Sequence, residues 1–400
     1  MTDPGTGLPT VAPTDAGGPE ALRRLKAVFA ASGGGIGTLM PYLALYLAWR
    51  GLSPSGVGLV LGLMAAVGVV AVPVWGAWAD RRHGAQQALR LSCFAAALAS
   101  VVLLCAGGWL PAVLVSAALL AAMRAPGEAL ADALAVGLLG RSARQRYGSI
   151  RLWSSAGFAV AVAGWGVLLA RTSLALVLLA YPAVLLLEVA AVRGLRAPVR
   201  PRAAAPAGWR DVLAARFVLL LAGAWLFGVA MGGSMTVLPL RLTALGGGVS
   251  AVAAASVAGA LTEIPFMRSV GWWHHLVGPG AMFLGGGAVF ALSLACYGVL
   301  TDPWLLVAAS VLRGAGYALF YVSLVTAVGS LLPAHQQGTG QALLQTTLMG
   351  LAPMVGASLG GITYQHSPTA VFLTAAALAL VGAAVARRAV DWLAPSEGTA

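Results

Sequence analysis

Residues 123–134 read MRAPGEALADAL and residues 147–158 read YGSIRLWSSAGF, and both stretches lie inside long apolar runs. They place Arg124, Glu128, Asp132 and Arg151 in sequence that is otherwise dominated by Ala, Leu, Val and Gly. Arg124, Glu128 and Asp132 are spaced four apart, so on one continuous helix they share a face. A charge in the hydrocarbon layer costs roughly 3 kcal/mol or more and turns toward a bundle interior or a water-filled cavity. Three such residues on one helix and a fourth on the next therefore predict an all-α membrane protein with a polar cavity inside it, suited to hold a solute and a proton.

Working outward, the rest of the chain agrees with a membrane bundle. It is 60% hydrophobic and 9% charged, against about 45–50% and about 25% for soluble domains. Twelve apolar runs are long enough to cross about 30 Å of hydrocarbon: 28–49, 56–78, 88–106, 110–134, 149–170, 173–192, 216–238, 249–267, 280–300, 304–331, 338–364 and 369–386. Residues 194–211, rich in Pro and Arg, divide them into 26–193 and 212–388, with a disordered tail at 1–25 and a second tail at 389–400. The first 20 residues lack the charged region and short apolar core of a cleaved signal, so the first span is expected to direct insertion.

The net charge of +12 invites a nucleic-acid partner, but its distribution argues otherwise. With an even number of spans and an internal N-terminus, Arg50, Arg171 and Arg241 fall outside and Arg124, Arg151 and Arg313 within spans. The other eighteen of 24 basic residues lie in tails and loops on the cytoplasmic side. That bias is the positive-inside pattern, which places both termini in the cytoplasm. Cys93, Cys105 and Cys296 fall in spans without CxxC spacing, and the five histidines (His83, His274, His275, His335, His366) are scattered over loops. Neither a disulfide framework nor a metal site is expected, and no cofactor. The absence of a GxxxxGK[ST] stretch leaves an ion gradient as the energy source.

Residues 76–90, GAWADRRHGAQQALR, carry glycine, Asp80, basic residues, a second glycine and a further basic residue. The pattern resembles the loop 2–3 signature of the major facilitator superfamily, and makes Gly76, Asp80, Arg81 and Gly84 a candidate conformational gate. Asp80 would accept charge-assisted hydrogen bonds from Arg81, Arg82 or a neighbouring helix end. AVPVW at 71–75 is matched by EIPFM at 263–267, an internal repeat of the kind that such transporters carry. Over 25–388 the chain resembles that superfamily. YGSIRLWSSAGF, LADAL at 130–134 and the Glu263–Ile264 pair resemble its phenylpropionate and nucleoside proton symporters and, more distantly, lactose permease. The resemblance implies twelve helices in two pseudo-symmetric six-helix halves, and proton-coupled transport of a small solute by a plasma-membrane monomer. It also implies a coupling carboxylate on span 8, which is Glu263; Arg313 on span 10 reads, from this sequence itself, as its partner. That branch commonly has histidines on span 10 where this chain has Arg313 and Tyr321.

Asp132 and Arg151 read as an ion pair that also bonds substrate, since a guanidinium fork suits a hydroxyl pair or a carboxylate. Glu263 has no basic residue within a turn on its own helix, so it can take and release a proton. Arg124 and Glu128 can neutralise one another at i, i+4, and Glu188 lies within reach of Arg193. Tyr42, Tyr46, Trp153, Trp225, Tyr317, Tyr321, Gln341 and Gln345 are candidates to complete the site, as rings and amides that would hold a ring-bearing solute or a sugar face. Three other readings compete. Efflux is suggested by an arginine-rich, almost lysine-free composition. A membrane enzyme would need a surface cluster of catalytic groups, which no loop carries. A channel would not need internal carboxylates.

Overall fold

Among the described residues every regular element is a helix. The computed structural model describes residues 18–139, 143–195, 213–333 and 335–391, with backbone alone at 82, 83 and 143–146. The expected tails up to 17 and from 392, and the linker from 196 to 212, lie outside them, as do the side chains of Arg82, His83, Arg144 and Arg146. In chain order the helices are α1 (Pro19–Trp49), α2 (Pro54–Trp78), α3 (Gly84–Cys105), α4 (Leu110–Arg124), α5 (Gly127–Leu139), α6 (Ala143–Leu169) and α7 (Ala175–Val192). They continue as α8 (Ala215–Ala244), α9 (Gly248–Val299), α10 (Pro303–Leu331), α11 (Gln337–Gln345), α12 (Ala352–His366) and α13 (Pro368–Val390). Wider π turns, Ala79–His83 and Thr346–Leu351, join α2 to α3 and α11 to α12.

Three helices start on the same two-residue device. Ser53–Pro54, Asp302–Pro303 and Ser367–Pro368 each set a side-chain oxygen at the N-cap and a proline at the first helical position. The oxygens accept from Gly56 N at 3.2 Å, Trp304 N at 2.7 Å and Ala370 N at 3.2 Å. The proline has no N–H to leave orphaned there, so start and direction are fixed together.

The stretch of 123–134 is not one helix. α4 ends at Arg124, two turn residues follow, and α5 begins at Gly127. Pro126 is the cause, since it cannot donate to the Ala122 carbonyl four residues back and its ring crowds that oxygen. The freed carbonyl accepts from Trp75 Nε1 of α2 at 3.0 Å, which ties α2 to the break. Trp75→Phe keeps the ring but leaves a partly buried carbonyl without its donor. It is expected to cost about 1–3 kcal/mol, read as a lower thermal midpoint in detergent than that of the parent.

Among the described residues, eleven helical stretches are long and apolar enough to cross a membrane, with α4–α5 and α11–α12 each counted as one. One of them, α9, is 52 residues long and contains Gly278 at φ 76, ψ 165, where two helices meet at a kink. The sequence reading placed His274 and His275 in a loop. They lie instead on the helix that runs up to this glycine, because the backbone stays helical through Gly271 and leaves helical angles only at Gly278.

Small residues decide how closely the helices approach. α1 packs along α6 and α7, and a Cβ at Gly33 would overlap the Ser154 carbonyl of α6. α2 packs on α12, α6 on α9, and α1 on α8. The α2–α12 contact is glycine on glycine: a Cβ at Gly58 would stand 2.9 Å from the Gly361 Cα. Gly58 is one turn from the start of α2 and Gly361 about one turn from the end of α12, so these helices close at the end that carries the 50–53 connection.

Candidate functional site

A cavity of about 840 Å³ lies among α1, α5, α6, α8, α9 and α10. Its wall changes character along the helices. Ile36, Met40 and Pro41 of α1, Met235 and Leu238 of α8, and Val252 of α9 form an apolar dome near the 50–53 and 245–248 connections. Deeper in the cavity the wall turns polar, with Glu128 of α5, Arg151, Ser154 and Ser155 of α6, Glu263 of α9, and Arg313, Tyr317 and Tyr321 of α10.

On one side the guanidinium of Arg151 spans two carboxylates. Nη1 donates to Asp132 Oδ1 at 3.3 Å and Nη2 to Glu128 Oε1 at 3.3 Å. Asp132 also accepts from the Tyr147 hydroxyl at 2.6 Å, so two donors orient it. These groups are partly exposed, Arg151 41%, Glu128 45% and Asp132 37%; Arg151 and Glu128 line the cavity, and Asp132 stands beside Arg151 outside the lining. Glu128 and Asp132 are four apart on α5 and face α6, where Tyr147 and Arg151 are also four apart. Tyr147 was not singled out from sequence, although that spacing marks it.

Across the cavity, Arg313 Nη1 of α10 stands 3.8 Å from Glu263 Oε1 of α9. The contact is an ion pair without a hydrogen bond, between groups only 15% and 25% exposed. A Cβ at Gly259 would overlap the Arg313 guanidinium, so this glycine, one turn before Glu263, provides the space the arginine fills. Tyr317 and Tyr321 stack with centroids 5.5 Å apart and planes at 14°. Gln345 Nε2 donates to the Tyr321 hydroxyl at 2.6 Å, which fixes the second ring from α11.

Several sequence expectations need correction. Arg124 does not pair with Glu128. The break at Pro126 separates their faces, and Arg124 turns away from the cavity to Tyr181 Oη at 3.2 Å, the Ser32 carbonyl at 3.2 Å, and Glu188 at 4.0 Å. Glu188 accordingly faces Arg124 in the bundle interior, not Arg193 at the helix end. Trp153 lies two residues beyond Arg151, a rotation of about 200°, and does not line the cavity; Lys26 Nζ lies 5.8 Å over its ring. Gln341 donates to the Val325 carbonyl at 2.9 Å and, like Gln345, stands behind the wall rather than in it. Tyr42 is buried and donates to the Val162 carbonyl at 2.7 Å, and Tyr46 is buried beside it. Neither these two nor Trp225 reaches the cavity. Asp80 and Arg81 are exposed, and the side chain of Arg82, one of the donors expected for Asp80, lies outside the described residues. The nearby Gly84 takes φ 71 where the π turn ends.

Residues 22–374 match the MFS_1 like family. A maltose permease of Geobacillus stearothermophilus is 28% identical over 354 residues, covering 87% of this chain and 89% of the permease. An uncharacterized transporter of Bacillus subtilis (strain 168), YwbF, is 23% identical, covering 87% and 88%. Among solved structures, a mutant of the nucleoside transporter NupG superposes with a TM-score of 0.83 at 15% identity, covering 92% of this chain and 99% of that one. A mutant of the peptide transporter POT in complex with sulfate gives 0.74 at 16% identity, covering 92% and 94%. These two likenesses are of fold.

Proposed function

Because the chain belongs to the MFS_1 like family of major facilitator superfamily transporters, we propose that it moves a small organic solute across the plasma membrane by alternating access, driven by protons. The observation that carries this is the two-sided cavity, with Arg151, Glu128 and Asp132 on α5–α6 and Glu263 with Arg313 on α9–α10. Solute engages Arg151 and Asp132. A proton on Glu263 releases Arg313, and its loss recaptures the arginine. With three carboxylates against two arginines, the site favours neutral or cationic solutes over anions.

The helices fit this scheme as two halves, 26–193 and 212–388. At about 1.5 Å per residue α9 would run roughly 78 Å, more than twice a hydrocarbon layer of about 30 Å. The kink at Gly278 therefore divides it into two crossings, for twelve in all. The distribution of arginines supports both termini, the tails and the 194–211 linker being cytoplasmic. The cavity is complete within one chain, so a monomer suffices.

Uptake into proteoliposomes under an imposed pH gradient tests the function, beginning with saccharides and nucleosides because relatives carry the names maltose permease and nucleoside transporter. Accumulation against a gradient supports the reading in either orientation of the vesicles. Downhill flux that ignores the pH gradient contradicts it and returns the channel reading. Alternation itself predicts a second result: Gly58→Leu keeps α2 from closing on Gly361 of α12. Spin labels at Leu59 and Gln365 should then stand farther apart than in the parent, by double electron–electron resonance. An unchanged distance would remove the α2–α12 contact from the conformational cycle.

A further inference from the structure

Outside the cavity, α1, α3, α4 and α7 enclose a second group of polar side chains that the scheme above does not use. Glu188 of α7 is 0% exposed, and neither of its carboxylate oxygens has a hydrogen-bond partner. Its charge partner, Arg124 Nη2, stands 4.0 Å away. Arg124 directs its N–H groups to neutral acceptors instead, with Nε on the Tyr181 hydroxyl and Nη2 on the Ser32 carbonyl and hydroxyl at 3.2 and 3.3 Å. The other groups facing Glu188 are the Ser32 hydroxyl from α1, the Cys93 thiol from α3 and, at longer range, Glu128 from α5. None of these supplies a second positive charge.

An ionised carboxylate in a dry interior costs several kcal/mol, and only a close, hydrogen-bonded partner offsets that. A contact of 4.0 Å with no hydrogen bond is not such a partner. Glu188 also stands one turn before the C-terminus of α7, where the helix dipole disfavours negative charge. A neutral carboxyl removes both penalties, and the guanidinium then left without a counter-ion keeps its hydrogen bonds to the Tyr181 hydroxyl and to the Ser32 carbonyl and hydroxyl. We propose that Glu188 is a second proton-binding site, occupied in this conformation, which gives up its proton when Arg124 moves from Ser32 to close on it. In that step the Glu188 O–H bond breaks, the proton passes to water, and the carboxylate gains an Arg124 N–H. The exit is short, since the Arg124 guanidinium lies against Gly127 and the next residue, Glu128, lines the cavity. Only the consequence for transport, one proton carried in each half, rests on the proton-driven reading above.

Infrared difference spectroscopy of the full chain in lipid bilayers, stepped in pH, reads the site directly. The parent should show a protonated-carboxyl C=O band that disappears in Glu188→Gln and remains in Glu263→Gln. Glu188→Asp keeps an acid at the position and should shift the band, which covers a Gln variant that fails to fold. Spectra of the Glu188 variants that retain the parent band unshifted overturn the proposal. In proteoliposomes the ratio of protons to solute should halve in Glu188→Gln, and an unchanged ratio overturns the second-proton role. If the parent itself accumulates nothing under a pH gradient, the proposed function fails while the infrared result still decides the Glu188 site.

Discussion

Proteoliposomes carrying Glu263→Gln should equilibrate the solute but not accumulate it, while exchange of labelled for unlabelled solute continues within a few-fold of the parent rate. Glutamine has the shape of the protonated acid and cannot lose a proton, so the variant stays in the state in which Arg313 is released. The pair is suited to this because it is strained toward neither extreme. At 3.8 Å without a hydrogen bond, and at an effective dielectric constant of about 20, its gross attraction is about 4 kcal/mol. That is the same order as the roughly 5.5 kcal/mol that swings a two-state equilibrium from 1:99 to 99:1. One proton on Glu263 can therefore bias which face is open, whereas a hydrogen-bonded pair would hold Arg313 more tightly. Accumulation by the variant at the parent level would remove Glu263 from coupling. Loss of exchange in equal measure would make it a structural or solute-binding residue instead.

The fold was largely legible because its signals are local. Long apolar runs, and the cap-then-proline pairs at Ser53, Asp302 and Ser367, are readable without knowing any tertiary contact. The charges inside the membrane were also legible as a set, and both cavity pairs, Arg151 with Asp132 and Arg313 with Glu263, join residues singled out beforehand. What sequence did not reveal was direction. The spacing of Arg124, Glu128 and Asp132 assumes an unbroken helix, and Pro126 breaks it, so Arg124 points to Glu188 on another helix. A proline inside a membrane run does not by itself end the span, and here Trp75 takes up the carbonyl that the break orphans. Trp153 was misdirected for a simpler reason. Counting around α6 from Arg151 would have turned it away from the cavity. Gly259 carries the same lesson, since a glycine one turn before a membrane carboxylate marks room for its partner.

Arg151→Ala should weaken solute binding on the order of 100-fold while costing little stability. The two effects separate because of where the side chain sits. Its contacts with Glu128 and Asp132 are 3.3 Å long between groups 37–45% exposed, and ion pairs of that exposure contribute about 0–1 kcal/mol to folding. A bound solute displaces that water, and each charge-assisted hydrogen bond then contributes about 1.5–3 kcal/mol, where 1.4 kcal/mol is tenfold in Kd. Truncation also leaves Glu128 and Asp132 without the guanidinium that orients both of them. Arg151→Lys separates charge from geometry. A single ammonium restores the positive charge but lacks the planar fork that reaches both carboxylates at once, so its affinity should fall between the parent and the alanine variant, about tenfold below the parent. Calorimetric titration with the solute found by the uptake screen measures all three proteins, and thermal unfolding in the same detergent provides the control. Equal affinity in parent and alanine variant would place the solute elsewhere in the cavity, against the Tyr317–Tyr321 stack and Arg313, and would leave Arg151 as the strut that holds α5 to α6.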